Sequence, residues 1–264
     1  MTNESKTLYI PLYGKAIMSK EGFFEDKTAE HIVDTCGYDF ADVDASKRLA
    51  IYMAMRAIRF DELADRFIAK HKNCIVIQLG CGLDSRCERV EARPKMWYDL
   101  DFPEVIDIRR EYFSDNEGYR LVSSSVTNHY WLNKIEYHGE PVLVIAEGLS
   151  MYLTKEELTS LMDEFAKCFS VTMFMFDAYS DFAAKASKFK NPINAVDAKI
   201  SFSMDDCAVL TDEVDGAQCV LDSDIIQPEY INRLSGIYKT RFRFMRKAGA
   251  KMYRIYGIKI KREK

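Results

Sequence analysis

Residues 74–86 read CIVIQLGCGLDSR, an apolar run that ends in two glycines and is followed at once by a carboxylate and a guanidinium. The run before the glycines has the length and unbroken hydrophobicity of a buried parallel strand. Gly80 and Gly82 allow a sharp turn and the close approach of a ligand to the backbone. A helix expected over 84–92 places backbone N–H groups at this turn. Ser85 replaces the third glycine of a dinucleotide fingerprint, so a dinucleotide turn, another nucleotide turn and a plain connection all stay open.

Strand-like and helix-like patterns alternate along the chain around this turn. Such alternation predicts a doubly wound, mostly parallel α/β sheet. Two more strands close the chain without a helix after the last one, which predicts a C-terminal antiparallel hairpin at the sheet edge. The predicted strands are 74–80, 95–101, 119–126, the beginning of 141–153, 171–180, 217–226 and 250–263, and the predicted helices are 84–92, 102–114 and 154–169.

The whole chain, 1–264, is predicted to form one domain. Residues 1–72 have helical periodicity and are expected to form a helical cap with a lead-in helix. Residues 73–180 form the ligand-binding core, and 217–264 supply the terminal strands. The polar, acidic segment 181–216 breaks the alternation and is expected to be an insertion on the substrate side.

Composition restricts the classes of function. A net charge of −4 gives no indication of a nucleic-acid partner or an anionic membrane. The seven cysteines contain no C-x-x-C pair, which favours reduced thiols over a disulfide framework or a zinc site, and no metal is expected. The N-terminus has no signal pattern, and no apolar stretch approaches the ~20 residues of a membrane helix. We therefore expect a soluble cytoplasmic protein.

Carboxylates follow two of the predicted strands. Asp101 lies 21 residues after Gly80 (101 − 80 = 21), the spacing of an acid that holds ribose hydroxyls. Either Asp99 or Asp101 could instead cap the next helix. Glu147 ends another apolar strand beside the glycine turn, where it could bind a cationic group, face solvent or pair with an arginine.

Four blocks in order resemble the leucine carboxyl methyltransferase family: IQLGCGLDSR, WYDLDFPEVIDIRR, SSSVTNHYWL and VLVIAEGLSMYLTKEEL. They are most similar to its bacterial branch, the tetracenomycin-type polyketide O-methyltransferases. The N-terminal segments LYIPLYGKAIMSK, EDKTAEHIV and RAIRFDELADRF match the same pattern. The resemblance covers about residues 8–180.

This resemblance implies a class I S-adenosylmethionine-dependent methyltransferase with a seven-stranded Rossmann-like sheet. Gly80 would line the methionine part of the cofactor, and Asp101 would hold the ribose hydroxyls. Arg59 would pair with the cofactor's carboxylate, and Glu147 would lie near its amino-acid end. With the turn glycine included, the implied cofactor-binding residues are Lys20, Arg59, Gly80, Gly82, Asp101, Ser125, Val126 and Glu147.

One position departs from the family pattern. Eukaryotic members have an Asp-Leu pair that touches the adenine, where this chain has Ser125 and Val126. A serine hydroxyl can still accept from the adenine amino group, although more weakly than a carboxylate. The substitution favours the bacterial branch over a protein C-terminal leucine substrate. Asp84 and Arg86 match the family's L-D-[ST]-R signature and are expected to brace the turn by ion pairing.

The predicted activity is methyl transfer to a hydroxyl or carboxyl oxygen of a small, polyketide-like molecule. The sequence assigns no catalytic residue, and Tyr152, Asp177 and Tyr179 are candidates for contact with the acceptor. The alternatives are a protein C-terminal carboxyl methyltransferase, an NAD-dependent oxidoreductase and a non-catalytic nucleoside-binding module. A monomer or homodimer without nucleic-acid or membrane partners is expected.

Overall fold

One mixed sheet runs through the molecule, and the strand before the glycine turn lies at its centre. The computed structural model describes residues 3–40, 46–187, 200–249 and 252–261. Within them the strands are β1 Ile75–Leu79, β2 Met96–Asp101, β3 Tyr119–Ser123, β4 Val142–Ala146, β5 Val171–Tyr179, β6 Ala217–Asp224 and β7 Tyr253–Lys261. Their order across the sheet is β3-β2-β1-β4-β5-β7-β6.

Helices cover both faces of this sheet. They are α1 Asn3–Lys20, α2 Lys27–Thr35, α3 Lys47–Lys70, α4 Arg86–Arg89, α5 Pro103–Arg109, α6 Lys155–Cys168, α7 Asp181–Ser187, α8 Ala208–Thr211, α9 Pro228–Asn232 and α10 Gly236–Gly249. Two 3₁₀ turns cover His129–Lys134 and Ser150–Tyr152. None of the helices in the described part of the chain is long and apolar enough to cross a membrane.

The centre of the sheet follows the sequence prediction closely. All five side chains of β1 are buried, because β2 and β4 flank it in parallel and helices cover both of its faces. The predicted capping box of α6 is present: Thr154 accepts from the Glu157 N–H, and the Glu157 carboxylate accepts from the Thr154 N–H. The doubly wound α/β class, mostly parallel with antiparallel C-terminal strands, is therefore confirmed.

Two details of the helices differ from the prediction. The helix expected over 84–92 is only the single turn α4, because Val90 already has an extended backbone. The antiparallel pair β6 and β7 is present, but 225–252 contains α9 and α10 and is not a tight hairpin. β7 lies between β5 and β6 and is antiparallel to both.

One pair of cysteines corrects the expectation of reduced thiols throughout the chain. Cys207 and Cys219 form a disulfide, with their Cα atoms 6.0 Å apart. They meet because α8 and β6 are neighbours in sequence and pack against each other. The other five cysteines take no part in this bond.

The predicted insertion 181–216 is described only in part, because 188–199 lie outside the described residues. Its later portion returns to the sheet edge. The Ser201 N–H donates to the Met151 carbonyl at 2.8 Å, and the Met204 N–H donates to the Tyr179 carbonyl at 2.9 Å. These contacts place 201–204 beside the ends of β4 and β5, where the turns after the parallel strands meet.

Candidate active site

A cavity of about 670 Å³ lies where the carboxyl ends of β1 to β5 meet. The turns after these strands form its floor, and α1 and α3 contribute side chains from the opposite side. In an open parallel sheet the turns at this edge provide the usual ligand site. The cavity therefore occupies the position that the strand pattern predicted.

The glycine turn forms part of the cavity wall and leaves little space for side chains at Gly80 and Gly82. Gly80 and Gly82 have φ values of +60° and +52°, which side chains with a Cβ rarely adopt. A Cβ on Gly80 would lie 3.3 Å from Leu149, and one on Gly82 would lie 3.0 Å from Leu8. Both glycines line the cavity, so the turn exposes its backbone to a ligand.

The two aspartates of β2 have different surroundings. Asp101 lines the cavity and accepts from the N–H groups of Gly82 and Phe102 at 2.7 and 2.8 Å. Burial raises the pKa of its carboxyl, although these N–H groups oppose the shift. Asp99 is buried away from the cavity and bonds to Tyr119 and Arg109. Asp101 is thus the acid available to a ligand, and Asp99 is structural.

Glu147 lies at the end of β4, between two guanidinium groups. Its carboxylate accepts from Arg56 Nε at 2.8 Å and from Arg86 Nη2. Burial opposes the charge on Glu147, but Arg56 and Arg86 outweigh it and hold the pKa of this carboxyl below its ordinary value. Glu147 therefore stays anionic in the cavity wall.

A second anion lies beneath the glycine turn. Asp84 accepts from Arg89 at 2.9 Å and pairs with Arg86 at 3.2 Å and with buried Lys15. Burial opposes its charge, but Arg89, Lys15 and Arg86 hold the pKa of Asp84 well below its ordinary value. Arg86 is fully buried, and it also pairs with Asp61 at 2.7 Å. Asp84 and Arg86 therefore brace the turn, as the sequence analysis expected.

Gln78 adds a polar side chain to the cavity wall beside Asp84. It is buried, and its Nε2 donates to Asp84 Oδ2 at 2.9 Å. Its Oε1 is buried without a hydrogen-bond partner among the described residues, although Gln78 lines the cavity. A buried acceptor of this kind is costly unless a donor reaches it. A ligand with an N–H or O–H donor would satisfy it.

The turn after β3 forms another part of the wall. Ser125 and Val126 both line the cavity. The Ser125 hydroxyl lies 2.9 Å from that of Thr127 and accepts from the Thr127 N–H at 3.3 Å. The predicted residues Gly80, Gly82, Asp101, Ser125, Val126 and Glu147 are thus brought together around one space.

Four tyrosines line the cavity next to Arg56, whose Nη1 donates to the Tyr253 hydroxyl at 3.4 Å. They are Tyr52, Tyr152, Tyr179 and Tyr253. The rings of Tyr179 and Tyr253 lie 4.2 Å apart between centroids, since these residues face each other at the ends of β5 and β7. Asp177 does not line the cavity: it is fully buried and accepts from the Gly148 N–H at 2.7 Å. We call the four tyrosines the tyrosine end.

Two residues named from the family resemblance lie elsewhere. Arg59 does not line the cavity, because it projects toward β6, where it donates to Ser223 at 2.9 and 3.1 Å and pairs with Glu62 at 3.1 Å. Lys20 is half exposed at the end of α1 and pairs with Asp34 at 2.7 Å. Neither reaches the space that the six strand-end residues surround.

Arg56 and Lys15 line the cavity in their place, together with Gln78. Arg56 stands three positions before Arg59 in the segment RAIRFDE, so the segment contains the right residue type at a different position. Lys15 stands in the α1 segment YGKA, before Lys20. Gln78 could have been identified from the sequence, because it is a polar residue inside an otherwise apolar strand.

Lys15, Arg56, Gln78, Asp101 and Glu147 form the polar part of the cavity wall, which we call the polar end. It suits a zwitterionic nucleoside. A guanidinium and an ammonium can hold a carboxylate, Glu147 can hold an ammonium, and Asp101 can hold a diol. The buried, unpartnered Gln78 Oε1 adds an acceptor for a ligand donor. These residues fit the parts of S-adenosylmethionine, which has no phosphate to bind.

Known proteins share this sequence pattern. The family model described as Leucine carboxyl methyltransferase matches residues 12–166, more than half of the chain. The tetracenomycin polyketide synthesis O-methyltransferase TcmP of Streptomyces glaucescens is 29% identical, covering 82% of this chain and 81% of its own. The S-adenosyl-L-methionine-dependent methyltransferase dpfgK of Gibberella zeae is 26% identical over similar shares, 82% and 80%.

Solved structures share the fold at low sequence identity. A DUF574 family protein from Streptomyces avermitilis matches with a TM-score of 0.57 at 10% identity, covering 82% of this chain and 86% of its own. The magnesium protoporphyrin IX methyltransferase of Synechocystis, solved with bound S-adenosylhomocysteine, matches with a TM-score of 0.52 at 11% identity, covering 89% and 100%. The chain thus belongs to the leucine carboxyl methyltransferase family and is an S-adenosylmethionine-dependent methyltransferase.

Proposed function

We propose that this protein transfers the methyl group of S-adenosylmethionine to a carboxylate oxygen of an aromatic small molecule. The observation that carries the proposal is the composition of the cavity. Its polar end has donors and acceptors for a nucleoside amino acid, and its tyrosine end offers flat apolar walls. Aromatic walls of this kind favour stacking with an aromatic acceptor.

The polar end would hold the cofactor. Arg56 and Lys15 would bind its carboxylate, Glu147 its ammonium and Asp101 its ribose hydroxyls, with Ser125 on the adenine side. When bound, the cofactor supplies a methyl group already activated on a sulfonium. The remaining task of the protein is to hold the acceptor oxygen in line with that carbon, which can supply about 7–11 kcal/mol.

A carboxylate acceptor is favoured because the described acids of the cavity wall have other roles. Asp84 is held by arginines, and Asp101 accepts two backbone N–H groups. Glu104 and Glu157 are exposed in the first turns of α5 and α6. Among the described residues that line the cavity there is no histidine, and Glu147 is held by two guanidiniums.

Burial raises the pKa of Tyr152 to about 12 and also raises the pKa of Tyr52 and Tyr253, so these phenols stay protonated at neutral pH. A carboxylic acid is already ionised at that pH and needs no base.

Two further observations support an O-methylated small molecule. The relative TcmP is a polyketide synthesis O-methyltransferase. The Ser125-Val126 pair replaces the Asp-Leu pair of the eukaryotic protein carboxyl methyltransferases, which disfavours a protein C-terminus as the acceptor. A phenol or alcohol acceptor is the remaining alternative.

The test is a panel of aromatic acids, each paired with the phenol of the same ring skeleton. Each compound is incubated with the enzyme and methyl-labelled S-adenosylmethionine, and transferred label is measured before and after mild alkali. A carboxyl product is a methyl ester, so alkali should release the label as methanol. Label that survives alkali on the phenols, with no transfer to the acids, would contradict the carboxylate proposal.

A further inference from the structure

Helix α10 carries a concentration of positive charge that the chain as a whole does not have. Its sequence, GIYKTRFRFMRKAG, contains no acidic residue, whereas the full chain has 41 acidic and 37 basic residues. In the part of the chain that the structure describes, none of the five α10 cations is in an ion pair. The five are Lys239, Arg241, Arg243, Arg246 and Lys247.

One exposed side of α10 combines two of these cations, Arg241 and Lys247, with large apolar side chains. Ile237 and Phe244 are 60% and 71% exposed and lie two turns apart, on the same side of the helix. Phe242 is fully buried and fixes the opposite side against the core. Arg241 and Lys247 stand three residues before and after Phe244, so they flank it on both sides.

We propose that α10 docks this protein on an anionic phospholipid surface. Helices that lie in a membrane interface place aromatic and aliphatic side chains among the lipid headgroups, with lysine and arginine beside them. Arg241 and Lys247, on either side of Phe244, complement anionic headgroups, each by about fivefold in affinity near the surface. A site for nucleic acid alone would use the cations but not the exposed Ile237 and Phe244.

The position of α10 connects this surface with the cavity. Gly249, the last residue of the helix, precedes Tyr253 of the tyrosine end by four residues. Four residues span at most about 14 Å. Met252, between them in sequence, is 41% exposed. Docking through α10 would therefore bring the tyrosine end close to the lipid surface.

Vesicle co-sedimentation of the full-length protein tests the charge contribution. The vesicles are phosphatidylcholine alone or phosphatidylcholine with phosphatidylglycerol, at low and high salt. We expect sedimentation with the anionic vesicles only, weakening as salt rises. Arg241→Glu with Lys247→Glu should weaken binding by at least about tenfold, because each cation contributes about fivefold. Lys70→Glu with Lys72→Glu, two exposed lysines outside α10, should change it less than about threefold.

The apolar contribution needs its own pair of variants. Phe244→Ala should weaken binding to the anionic vesicles by about tenfold, because an inserted phenyl ring is lost. Tyr130→Ala removes a ring that is 79% exposed elsewhere and should leave binding unchanged. All of these side chains are at the surface, so unchanged thermal melting of each variant confirms that it has folded.

Three results would overturn the proposal. The first is no binding to anionic vesicles, and the second is equal loss of binding in both charge-reversal pairs. The third is equally tight binding to duplex DNA with no effect of Phe244→Ala on either ligand, which would make α10 a general polyanion site.

Discussion

Arg56 faces two carboxylates from one position on α3. Its Nε donates to Glu147 at 2.8 Å, and its Nη1 lies 3.5 Å from Asp177. Burial disfavours the charge on Arg56, but Glu147 outweighs this, with help from Tyr253 and Asp177, and raises its pKa further. Because Arg56 also lines the cavity, its Nη2 can donate to a ligand carboxylate while Nε and Nη1 stay paired with protein.

Replacing Arg56 should therefore weaken cofactor binding more than replacing Arg59. We expect Arg56→Lys to lower the affinity for S-adenosylhomocysteine by about 1.5–3 kcal/mol, because lysine keeps the charge but loses the planar fork. Arg59→Ala, on the same helix, should change it by less than about 0.5 kcal/mol. Isothermal titration calorimetry on both variants and the parent measures the difference. Normal affinity in Arg56→Lys together with a large loss in Arg59→Ala would return the role to Arg59.

The contrast between these arginines shows which site residues a sequence can locate. Asp101 and Glu147 end strands, and parallel strands end at one edge of the sheet, so their positions follow from the strand pattern. Arg56 and Arg59 lie three residues apart on α3, which turns about 100° per residue. The side of α3 that faces the cavity depends on how the helix packs, and local periodicity does not determine it.

At the scale of elements, Arg86 joins three parts of the fold. It pairs with Asp61 of α3 at 2.7 Å, with Asp84 of the glycine turn at 3.2 Å and with Glu147 after β4. Its side chain is fully buried, so removing it would leave three carboxylates without this cation. Breaking a buried pair on one side costs about 3–5 kcal/mol.

We expect Arg86→Met to lower the free energy of unfolding by about 3–5 kcal/mol at pH 7. Exposed Arg66 of α3 provides the control, and Arg66→Met should stay within about 0.5 kcal/mol of the parent. Urea unfolding followed by circular dichroism measures both variants.

The deficit of Arg86→Met should depend on pH. In the parent, the pKa of Glu147 is lowered from 4.5, so its contribution is complete above that pH and is lost as pH falls through the folded pKa. In the variant, Arg86 no longer opposes the effect of burial, so the pKa of Glu147 rises. Glu147 is then protonated at a higher pH, which removes the cost of its unpaired buried charge. The deficit should therefore be smaller at pH 5 than at pH 7. An equal deficit at both pH values would mean that Glu147 is not destabilised when Arg86 is lost.

The disulfide between Cys207, just before α8, and Cys219 of β6 leads to a separate prediction. Cys207 and Cys219 are 12 residues apart, and closing a loop of this size stabilises a protein by about 3 kcal/mol. Cys207→Ser with Cys219→Ser should lower the free energy of unfolding by a similar amount. Thiol titration in denaturant without reductant should find five of the seven cysteines (7 − 2 = 5). Seven titratable thiols would show that the bond does not form.

Elements with strong apolar runs were predictable, and those without them were not. The strands are apolar or alternate, so all seven could be expected from the chain. α9 and α10 were not predicted, because this region mixes Pro228, Gly236 and many cations with few core positions. Among the α10 side chains that the structure describes, only Phe242 is fully buried, so the helix depends on tertiary packing.

At the scale of the whole molecule, the cavity is built by two parts of the chain that are far apart in sequence. The strand ends provide the floor, and α1 contributes Leu8, Leu12 and Lys15 from the other side. Lys15 pairs with Asp84 beneath the glycine turn. A ligand that contacts both parts therefore stabilises the packing of α1 on the sheet as well as its own site.

We expect S-adenosylhomocysteine at 100 times its Kd to stabilise the whole protein by about 2.7 kcal/mol, a rise in Tm of about 5–10 °C. NAD at the same concentration should give no rise, because Ser85 replaces the third glycine of a dinucleotide-binding turn. Hydrogen exchange should slow in α1 at residues 8–20 when S-adenosylhomocysteine binds. The edge strand β6 provides an internal control and should not change. A rise in Tm with NAD would favour an oxidoreductase, and unchanged exchange in α1 would show that this helix does not participate in binding.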